Sequence, residues 1–397
     1  QTSGPVGTTA LARARSVAVD LASTCGGRRL WARCQIAPAF GELAKWGITS
    51  AAAAVSAWTS REVAYKGRRR IAPGNRLGCQ ALVQADLVVD VPPESQVHRP
   101  VVRKEIDLAG LTLDPLIVAR YVELPELVLG DERADAELLA AELAAEWGIA
   151  GATVDARVLP DLHPAIADGD RGVTAVVHRD GRVLAVRPGF DERIYGVAVD
   201  VGSTTIAGYL VDLQSGEVVA GAGAMNPQIR FGEDLMSRVS YVMMNPGGEA
   251  ELTGAVRGAI DAMIGRLAEV IDTAPGELRT RIHDLVLVGN PVMHHLLLGI
   301  DPTPLGAAPF TLTVGAPVDL RADELDLELP RALAHVGPCI AGHVGADAAA
   351  ATLNEGTHRG HAPQLLVDVG TNAEIVLGTG DAVYAASSPT GPAFEGA

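Results

Sequence analysis

Apolar and polar positions repeat with different periods along the chain, and these periods predict its elements. The stretch RADAELLAAELAAEWG repeats apolar residues at helical spacing and stops at Gly148, which predicts a helix. TAVVHRDGRVLAV alternates on either side of Asp180 and Gly181, which predicts a β-hairpin turning on these two residues. From Tyr195 onward, apolar strands are separated by glycine-containing turns, a pattern typical of an α/β domain.

The same patterns divide the chain into four parts. Residues 1–92 form a cysteine-bearing unit that closes with the strand-like segment ALVQADLVVDVPP. Residues 93–105 are predicted to be a linker, because their prolines and mixed charges suit neither a helix nor a central strand. Residues 106–190 are predicted to be a small α+β domain, and residues 191–397 an α/β domain.

An internal repeat lies within the last part. YGVAVDVGSTTIAGYLVDLQSGEVVAGA begins at Tyr195, and QLLVDVGTNAEIVLGTGDAVYAAS begins at Gln364. Both segments consist of an apolar strand, the sequence Asp-Val-Gly followed by Ser or Thr, a second strand, a turn and a third strand. The repeat predicts two duplicated subdomains that face each other.

The loops of the repeat have a chemistry suited to phosphate. A glycine turn after a strand directs backbone N–H groups outward, and neighbouring hydroxyl residues add donors. Mg²⁺ prefers carboxylate oxygens together with waters and substrate phosphates, so Asp200 and Asp368 would hold a magnesium nucleotide between them. For either copy alone, a tight turn with a surface aspartate is an equally good interpretation. The presence of two copies favours phosphate binding.

Composition and charge narrow the class of protein. A chain of 397 residues is expected to contain two to four domains. The net charge of −16 argues against nucleic acid or an anionic membrane as a partner. No apolar run long enough to span a membrane and no secretion signal is found, so we expect a cytoplasmic protein. The 4 cysteines are too few for a disulfide framework, and clustered cysteines would indicate a metal.

Several motifs resemble one known family. VDVGSTTIAGYLVDL, NPQIRFGEDLMSRV, LVGNPVMHHLLLGIDP, VDVGTNAEI and SSPTGPAFEGA together resemble the ferredoxin-fused reductive activators of corrinoid proteins, which carry an ASKHA ATPase domain. The resemblance implies an α/β multidomain fold: an N-terminal β-grasp ferredoxin-like domain, a small α+β middle domain and an actin-like (RNase H-like) ASKHA domain. It also leads us to expect that the ASKHA domain is incomplete at Ala397, with an unpaired edge and an uncovered apolar face on the strands between residues 364 and 387.

The resemblance further implies an activity and partners. Members of this family couple ATP hydrolysis to the one-electron reduction of cob(II)alamin to cob(I)alamin, and the expected cofactors are ATP, Mg²⁺ and a 2Fe–2S cluster. The partner would be the corrinoid protein of a methyltransferase system; the electron donor stays open, and a homodimer is compatible with the resemblance. Two alternatives remain: an ASKHA-fold kinase or phosphotransferase, and a non-catalytic scaffold that docks to a corrinoid protein.

Site residues are carried over from the matching motifs. The first phosphate loop comprises Asp200, Gly202, Ser203, Thr204 and Thr205, and the second comprises Asp368, Gly370, Thr371 and Asn372. Asp234 is a candidate for orienting the attacking water, although helix capping or an interior hydrogen bond suits Asn226, Gln228 and Asp234 equally well. Gly289 and Asn290 follow an apolar strand and are expected to line the cleft. His294, His295 and Cys339 are interpreted as buried packing residues.

The cysteines match the family's cluster ligands only in part. Cys25, Cys34 and Cys79 correspond to three of the four thiolates that a 2Fe–2S cluster needs, and Trp31 occupies the fourth position. Arg29 also replaces a loop glycine, as does Ala32. An indole cannot ligate iron, so a working cluster would need a water, a rearranged residue or a foreign thiolate. We favour a ferredoxin-like unit whose cluster site is lost or labile.

This interpretation predicts the iron content of the protein. We expect the full-length protein, purified without oxygen, to contain little iron, because one thiolate is missing. Trp31→Cys should recover iron, sulfide and visible absorption, and more readily when Arg29→Gly and Ala32→Gly are added. A stable, stoichiometric cluster in the unmodified protein would show that the interpretation is wrong.

Overall fold

A computed structural model describes most of the chain. The described residues are 5–16, 21, 34–43, 47–60, 62–63, 71–92, 95, 112–130, 132–360, 362–370 and 372–389. The predicted linker, apart from Ser95, lies outside these ranges, as do Cys25, Arg29, Trp31, Ala32 and Thr371.

The N-terminal part contains short elements around a small core. Its described elements are α1 (Ala10–Ser16), β1 (Gln35–Ala39), β2 (Gly41–Leu43), β3 (Ile48–Ser50), a 3₁₀ turn (Ala52–Ala54), β4 (Arg76–Leu77) and β5 (Val88–Asp90). The strands pair antiparallel in the order β4-β1-β5, with β2-β3 as a separate hairpin. A buried ion pair joins Arg76 to Glu62 at 2.8 Å. The β-grasp assignment remains a prediction.

The next unit is a four-stranded sheet with two helices. Its elements are β6 (Ile117–Glu123), α2 (Asp135–Trp147), β7 (Thr153–Val154), α3 (Leu159–Asp168), β8 (Gly172–His178) and β9 (Arg182–Pro188), with strand order β6-β8-β9-β7. The predicted helix ends as expected, because Gly148 adopts the left-handed conformation that favours glycine, with φ of 68°. The predicted hairpin is also confirmed, with Gly181 at φ of 90° between β8 and β9.

The largest unit contains a six-stranded mixed sheet in the order β12-β11-β10-β13-β15-β14. Its strands are β10 (Tyr195–Val201), β11 (Thr205–Asp212), β12 (Val218–Met225), β13 (Ile282–Gly289), β14 (Val318–Arg321) and β15 (Leu333–Val336). Its α-helices are α4 (Leu235–Met244), α5 (Gly248–Val270), α6 (Pro275–Arg281), α7 (Pro291–Leu298) and α8 (Ala346–Glu355), with 3₁₀ turns at Pro227–Arg230, Thr303–Gly306 and Ala322–Leu325.

One long helix covers the core side of this sheet. Helix α5 buries apolar side chains three or four residues apart, which places them on one face. These side chains, together with the valines of β10, belong to the same core: Leu252, Val256, Ile260, Met263, Leu267, Val197, Val199 and Val201. Each such buried side chain contributes roughly 1.5–3 kcal/mol to folding. No helix among the described residues is both long and apolar enough to span a membrane.

The last described strands repeat the first three strands of the large sheet. They are β16 (Gln364–Val369), β17 (Asn372–Gly378) and β18 (Val383–Pro389), paired antiparallel in that order, as are β10, β11 and β12. The predicted repeat is therefore confirmed in the backbone. Within the described residues, β16 pairs only with β17, and Leu365, Val367 and Val369 on it are 65%, 46% and 56% exposed. The expected open edge and apolar surface are thus present in this part of the structure.

The second unit packs against the large sheet. An apolar cluster from β6, β8 and β9 includes Ile194 and contacts Leu213 and Leu333 beyond it. Ion pairs surround this cluster, including Arg281 with Asp191 at 2.7 Å and Arg321 with Asp155 at 3.1 Å. The buried His283 accepts a hydrogen bond from Arg187 at 2.8 Å, and burial lowers the pKa of this imidazole to about 3, so it stays neutral.

Candidate functional site

The first glycine loop lies at the carboxyl end of β10, in the interior of the six-stranded sheet. Asp200 pairs with Ala207 on β11 and with Val288 on β13, so strands flank it on both sides. The residues next to it in sequence point into the core, and side chains of a strand alternate between faces, so Asp200 lies on the opposite, exposed face. The predicted metal-binding carboxylate therefore stands at the edge where ligands of α/β sheets bind.

Buried donors hold the carbonyl groups of this loop. The Asn226 side-chain amide donates to the carbonyl oxygen of Gly202 at 2.8 Å, and the Arg238 guanidinium donates to that of Ser203. In a trans peptide the C=O and the following N–H point in opposite directions. Because both carbonyls point inward, the N–H groups of Ser203 and Thr204 point outward, as a phosphate-binding nest requires.

Two glycines allow the strands to approach closely at this place. A Cβ on Gly202 would lie 2.5 Å from the carbonyl oxygen of Thr205, the first residue of β11. A Cβ on Gly289 would lie 2.7 Å from the carbonyl oxygen of Val201. Both distances are shorter than any normal contact, so the loop and the turn after β13 depend on glycine.

The turn after β13 contacts the first loop directly. Asn290 is buried and caps α7, because its Oδ1 accepts from the backbone N–H of Met293 at 3.0 Å. Its Nδ2 donates to the Ser203 hydroxyl at 3.1 Å. The structure therefore places the predicted pair Gly289 and Asn290 beside the first phosphate loop.

The second glycine loop joins β16 to β17. Asp368 pairs with Glu374, and the backbone N–H of Gly370 donates to the carbonyl oxygen of Asn372 at 2.8 Å. Thr371, the hydroxyl residue expected in this loop, lies outside the described residues. Asp368 occupies the same place in its hairpin as Asp200 does in the first.

The two loops differ in length. Between the last paired residues of the hairpin, the first loop contains residues 202–205 and the second contains residues 370–372. The second loop is therefore one residue shorter and carries one backbone N–H fewer. The two loops therefore offer different numbers of backbone donors.

Helix α8 connects the two sheets and carries an acidic residue, Asp347, that was not among the predicted site residues. The helix contacts β13 on one side and β16 and β17 on the other. Burial, together with the negative charges of Glu374, Asp200 and Asp368, raises the pKa of Asp347 in its first turn to about 7, although a hydrogen bond from the Ala348 N–H opposes this rise. Because the charges of both predicted aspartates act on the Asp347 carboxyl group, both glycine loops lie near the first turn of α8.

A signal for Asp347 was present in the segment GHVGADAAA, where a glycine precedes a helix with an aspartate in its first turn. A Cβ on Gly345 would lie 2.5 Å from the Cα of Asn290 and 2.7 Å from an oxygen of Asp347. This glycine lets α8 approach the turn after β13. The pattern alone does not reveal which carboxylates lie opposite, because they come from strands distant in sequence.

Other residues of the NPQIRFGED motif have structural contacts. Asp234 caps α4, since its Oδ1 accepts from the backbone N–H of Ser237 at 2.6 Å. Gln228 is fully buried; its Oε1 accepts from Arg238 at 3.0 Å and its Nε2 donates to the carbonyl oxygen of Leu252 at 2.9 Å. The capping and interior-bonding alternatives are therefore confirmed for these contacts. A role of Asp234 in orienting water stays a prediction.

The adjacent histidines and Cys339 are buried, as expected. His295 accepts from the backbone N–H of Thr313 at Nε2 and donates from Nδ1 to the carbonyl oxygen of Pro291, both at 2.9 Å, so its ring is neutral. Burial lowers the pKa of His294 to about 4. Burial also raises the pKa of Cys339 to about 12, which keeps its thiol protonated.

Two of the three matched cysteines lie together in the N-terminal unit. The Sγ atoms of Cys34 and Cys79 are 3.4 Å apart and buried. The hydrogen bond between the two thiols lowers the pKa of Cys34 to about 7, although burial opposes this. Thiolates on one tetrahedral metal stand about 3.8 Å apart for metal–sulfur bonds of about 2.3 Å, so this pair suits two neighbouring ligands. Cys25 lies outside the described residues, and within the described ranges no three His, Cys, Asp or Glu side chains could hold a metal ion.

The duplicated strand, loop and hairpin are typical of an ASKHA-type α/β protein. Sequence comparison gives its family. Three consecutive regions match: the RACo linker region at residues 107–193, the RACo middle region at residues 195–360, and the C-terminal ASKHA domain of RACo at residues 362–397. The chain belongs to the RACo family.

Individual relatives agree with this assignment. The corrinoid activation enzyme RamQ of Eubacterium limosum is 35% identical over 210 residues, which are 52% of this chain and 34% of RamQ. The Co(II) methylated amine-specific corrinoid protein reductase of Methanosarcina barkeri is 29% identical over 213 residues, 51% of this chain and 37% of that protein. These matches span about a third of the curated relatives' length.

A solved structure also resembles the whole chain. The reductive activator for corrinoid, iron-sulfur protein superimposes with a TM-score of 0.66 and 28% sequence identity, covering 100% of this chain and 62% of its own. The α/β multidomain fold predicted from the sequence is therefore confirmed, and so is the resemblance to corrinoid activators.

The position of Asp347 predicts how stability changes with pH. Its pKa is raised on folding, so the stability from its bound proton is complete below the ordinary aspartate pKa and is lost as the pH rises through about 7. We expect Asp347→Asn to unfold at a higher temperature than the wild type at about pH 8.5. The advantage should shrink by about 2 kcal/mol as the pH falls to about 5.5.

Thermal unfolding at several pH values checks this expectation. Asp381→Asn, in the exposed turn before β18, is the control for loss of one negative charge outside the cleft. If the gain in thermal stability of Asp347→Asn over the wild type is the same at both pH values, the carboxyl of Asp347 does not lie among the charges described.

Proposed function

We propose that this chain takes part in the ATP-dependent reductive activation of a corrinoid protein. The observation that supports the proposal is that Asp200 and Asp368 occupy the same place in two repeated hairpins, and that the charges of both act on Asp347, in a member of the RACo family. Two acidic loops related by a repeat suit a nucleotide whose phosphates bind between them. Two relatives of the chain, a corrinoid activation enzyme and a corrinoid protein reductase, support the proposed reaction.

The residues of the cleft fit a magnesium nucleotide. The N–H groups of Ser203 and Thr204 are directed as phosphate donors, and the Thr205 hydroxyl lies at the start of β11. Asp200 and Asp368 would each supply an oxygen to Mg²⁺, which binds proteins through one or two carboxylates and keeps water and phosphate as its other ligands. When bound, the ion neutralises charge on the transferring phosphate.

The reaction itself is a one-electron reduction. Cob(II)alamin on the partner protein gains one electron and becomes cob(I)alamin, and a low-potential donor must supply that electron. ATP hydrolysis would supply the free energy that makes this transfer favourable. The proposed partner is a corrinoid protein of a methyltransferase system.

The residues of the N-terminal unit do not fit a complete 2Fe–2S cluster. Cys34 and Cys79 have a suitable separation, but Trp31 stands at the fourth ligand position and has no atom that binds iron. We therefore assign no step of the electron transfer to this unit.

Substitution of the two aspartates tests the proposed ATPase. Asp200→Asn and Asp368→Asn in the full-length protein should each lower ATP hydrolysis about 100-fold, because charge stabilisation at the phosphates is lost. Neither change should lower the thermal stability, since each removes a charge that opposes its neighbours. Phosphate release is the measurement, with Asp381→Asn as the control.

A second measurement addresses the corrinoid protein. With titanium(III) citrate as electron donor and a cob(II)alamin-loaded corrinoid protein, the absorbance of cob(I)alamin should appear with ATP and fail to appear in both aspartate variants. Unchanged hydrolysis in both variants would contradict the nucleotide site. If the wild type hydrolyses ATP but does not reduce the cobalamin, the nucleotide site would stand and only the proposed reductive activation would be contradicted.

A further inference from the structure

Arg238 is a fully buried cation beneath the first glycine loop. Its guanidinium donates to four groups from three segments: the carbonyl oxygen of Ser203, the carbonyl oxygen of Gly232 at 3.0 Å and Oε1 of Gln228 at 3.0 Å, both in the NPQIRFGED motif, and Sδ of Met293 at 3.0 Å. The planar guanidinium carries five N–H groups in fixed directions, so it can join these segments in a single geometry. The ammonium of lysine could not reproduce this arrangement.

The contact with Ser203 controls the direction of one peptide group. The carbonyl is held inward by Arg238, and the peptide is planar and trans, so the N–H of Thr204 must point to the cleft. Asn226 holds the preceding peptide in the same way through Gly202. A rotation of either peptide would turn a carbonyl oxygen, which repels phosphate, toward the cleft.

Arg238 also joins the loop to the turn after β13. Met293 lies in the first turn of α7, the helix that Asn290 caps, and its sulfur accepts from Arg238. Asn290 in turn donates to the hydroxyl of Ser203. Arg238 and Asn290 therefore both donate to Ser203, one to its carbonyl oxygen and the other to its hydroxyl.

We propose that Arg238 is a positioning residue for the nucleotide phosphates: it holds the peptide between Ser203 and Thr204 with its N–H toward the cleft. It acts from beneath the loop, through the backbone, and does not touch the nucleotide. This inference rests on the proposed function, since it concerns the same phosphate site.

Arg238→Lys in the full-length protein is the direct test. Its dissociation constant for Mg·ATP, measured by calorimetric titration, should rise about tenfold or more, because charge-assisted hydrogen bonds that orient the loop are lost. In the nucleotide-free protein, amide hydrogen exchange should become faster in residues 202–205 and stay unchanged in residues 368–370. A merely structural arginine would not produce this local difference.

Arg257→Lys is the matched control. Arg257 is also largely buried in the same unit, where it donates to the carbonyl oxygen of Leu297 at 2.9 Å and pairs with Asp326 at 2.6 Å. We expect this variant to lose thermal stability without a change in the dissociation constant for Mg·ATP. Equal weakening of nucleotide binding in both lysine variants would overturn the inference, because it would reflect general loosening.

A second variant tests the same inference if Arg238→Lys does not fold. Gln228→Met keeps the side-chain length and removes one acceptor of Arg238, so the dissociation constant should rise about twofold to tenfold. If the wild type binds Mg·ATP and the folded variants bind it equally well, the role of Arg238 would be overturned and the proposed function would not. No binding of Mg·ATP by the wild type would instead overturn the proposed function.

Discussion

The carbonyl groups of Gly202 and Ser203 point into the protein, where Asn226 and Arg238 donate to them. This inward orientation determines the outward orientation of the N–H groups that follow, and it needs both donors in the interior, where water does not compete. The order of the six-stranded sheet makes the arrangement possible. Because β10 lies between β11 and β13, its carboxyl end is surrounded by elements that can supply such donors.

Negative charge is the second constraint on the cleft. Burial raises the pKa of Asp347 most, and the charges of Glu374, Asp200 and Asp368 also raise it, because these carboxylates repel a charge on Asp347. The proton on Asp347 partly relieves this repulsion near neutral pH. A bound divalent cation would relieve it more completely, so the same charges that make the empty cleft unfavourable would make cation binding favourable.

The N-terminal unit contains a close pair of cysteines but only part of the ligand set that a cluster needs. Its core retains Cys34 and Cys79 as a close pair, and a hydrogen bond between them lowers the pKa of Cys34 to about 7. Such a pair is suited to metal thiolate chemistry, whereas the resemblance to the family's cluster motif predicts Trp31 at the fourth ligand position. Cys34 and Cys79 are therefore close enough to be neighbouring ligands, whereas the predicted ligand set is incomplete.

Sequence alone determined the features that each segment carries by itself. The helix ending at Gly148, the hairpin at Asp180 and Gly181, and the two Asp-Val-Gly hairpins follow from local periodicity and turn chemistry, which depend on residues close in sequence. Only the tertiary structure decided the roles of Arg238 and Asp347. In the sequence, Arg238 has the pattern of an ordinary polar position on an amphipathic helix. Its acceptors include Ser203 and Met293, which are distant from it in sequence. In the sequence, Asp347 has the pattern of an aspartate at the start of a helix. The charges that help burial to raise its pKa lie on β10, β16 and β17. Burial and electrostatic environment arise from contacts between distant segments, and no local pattern encodes them.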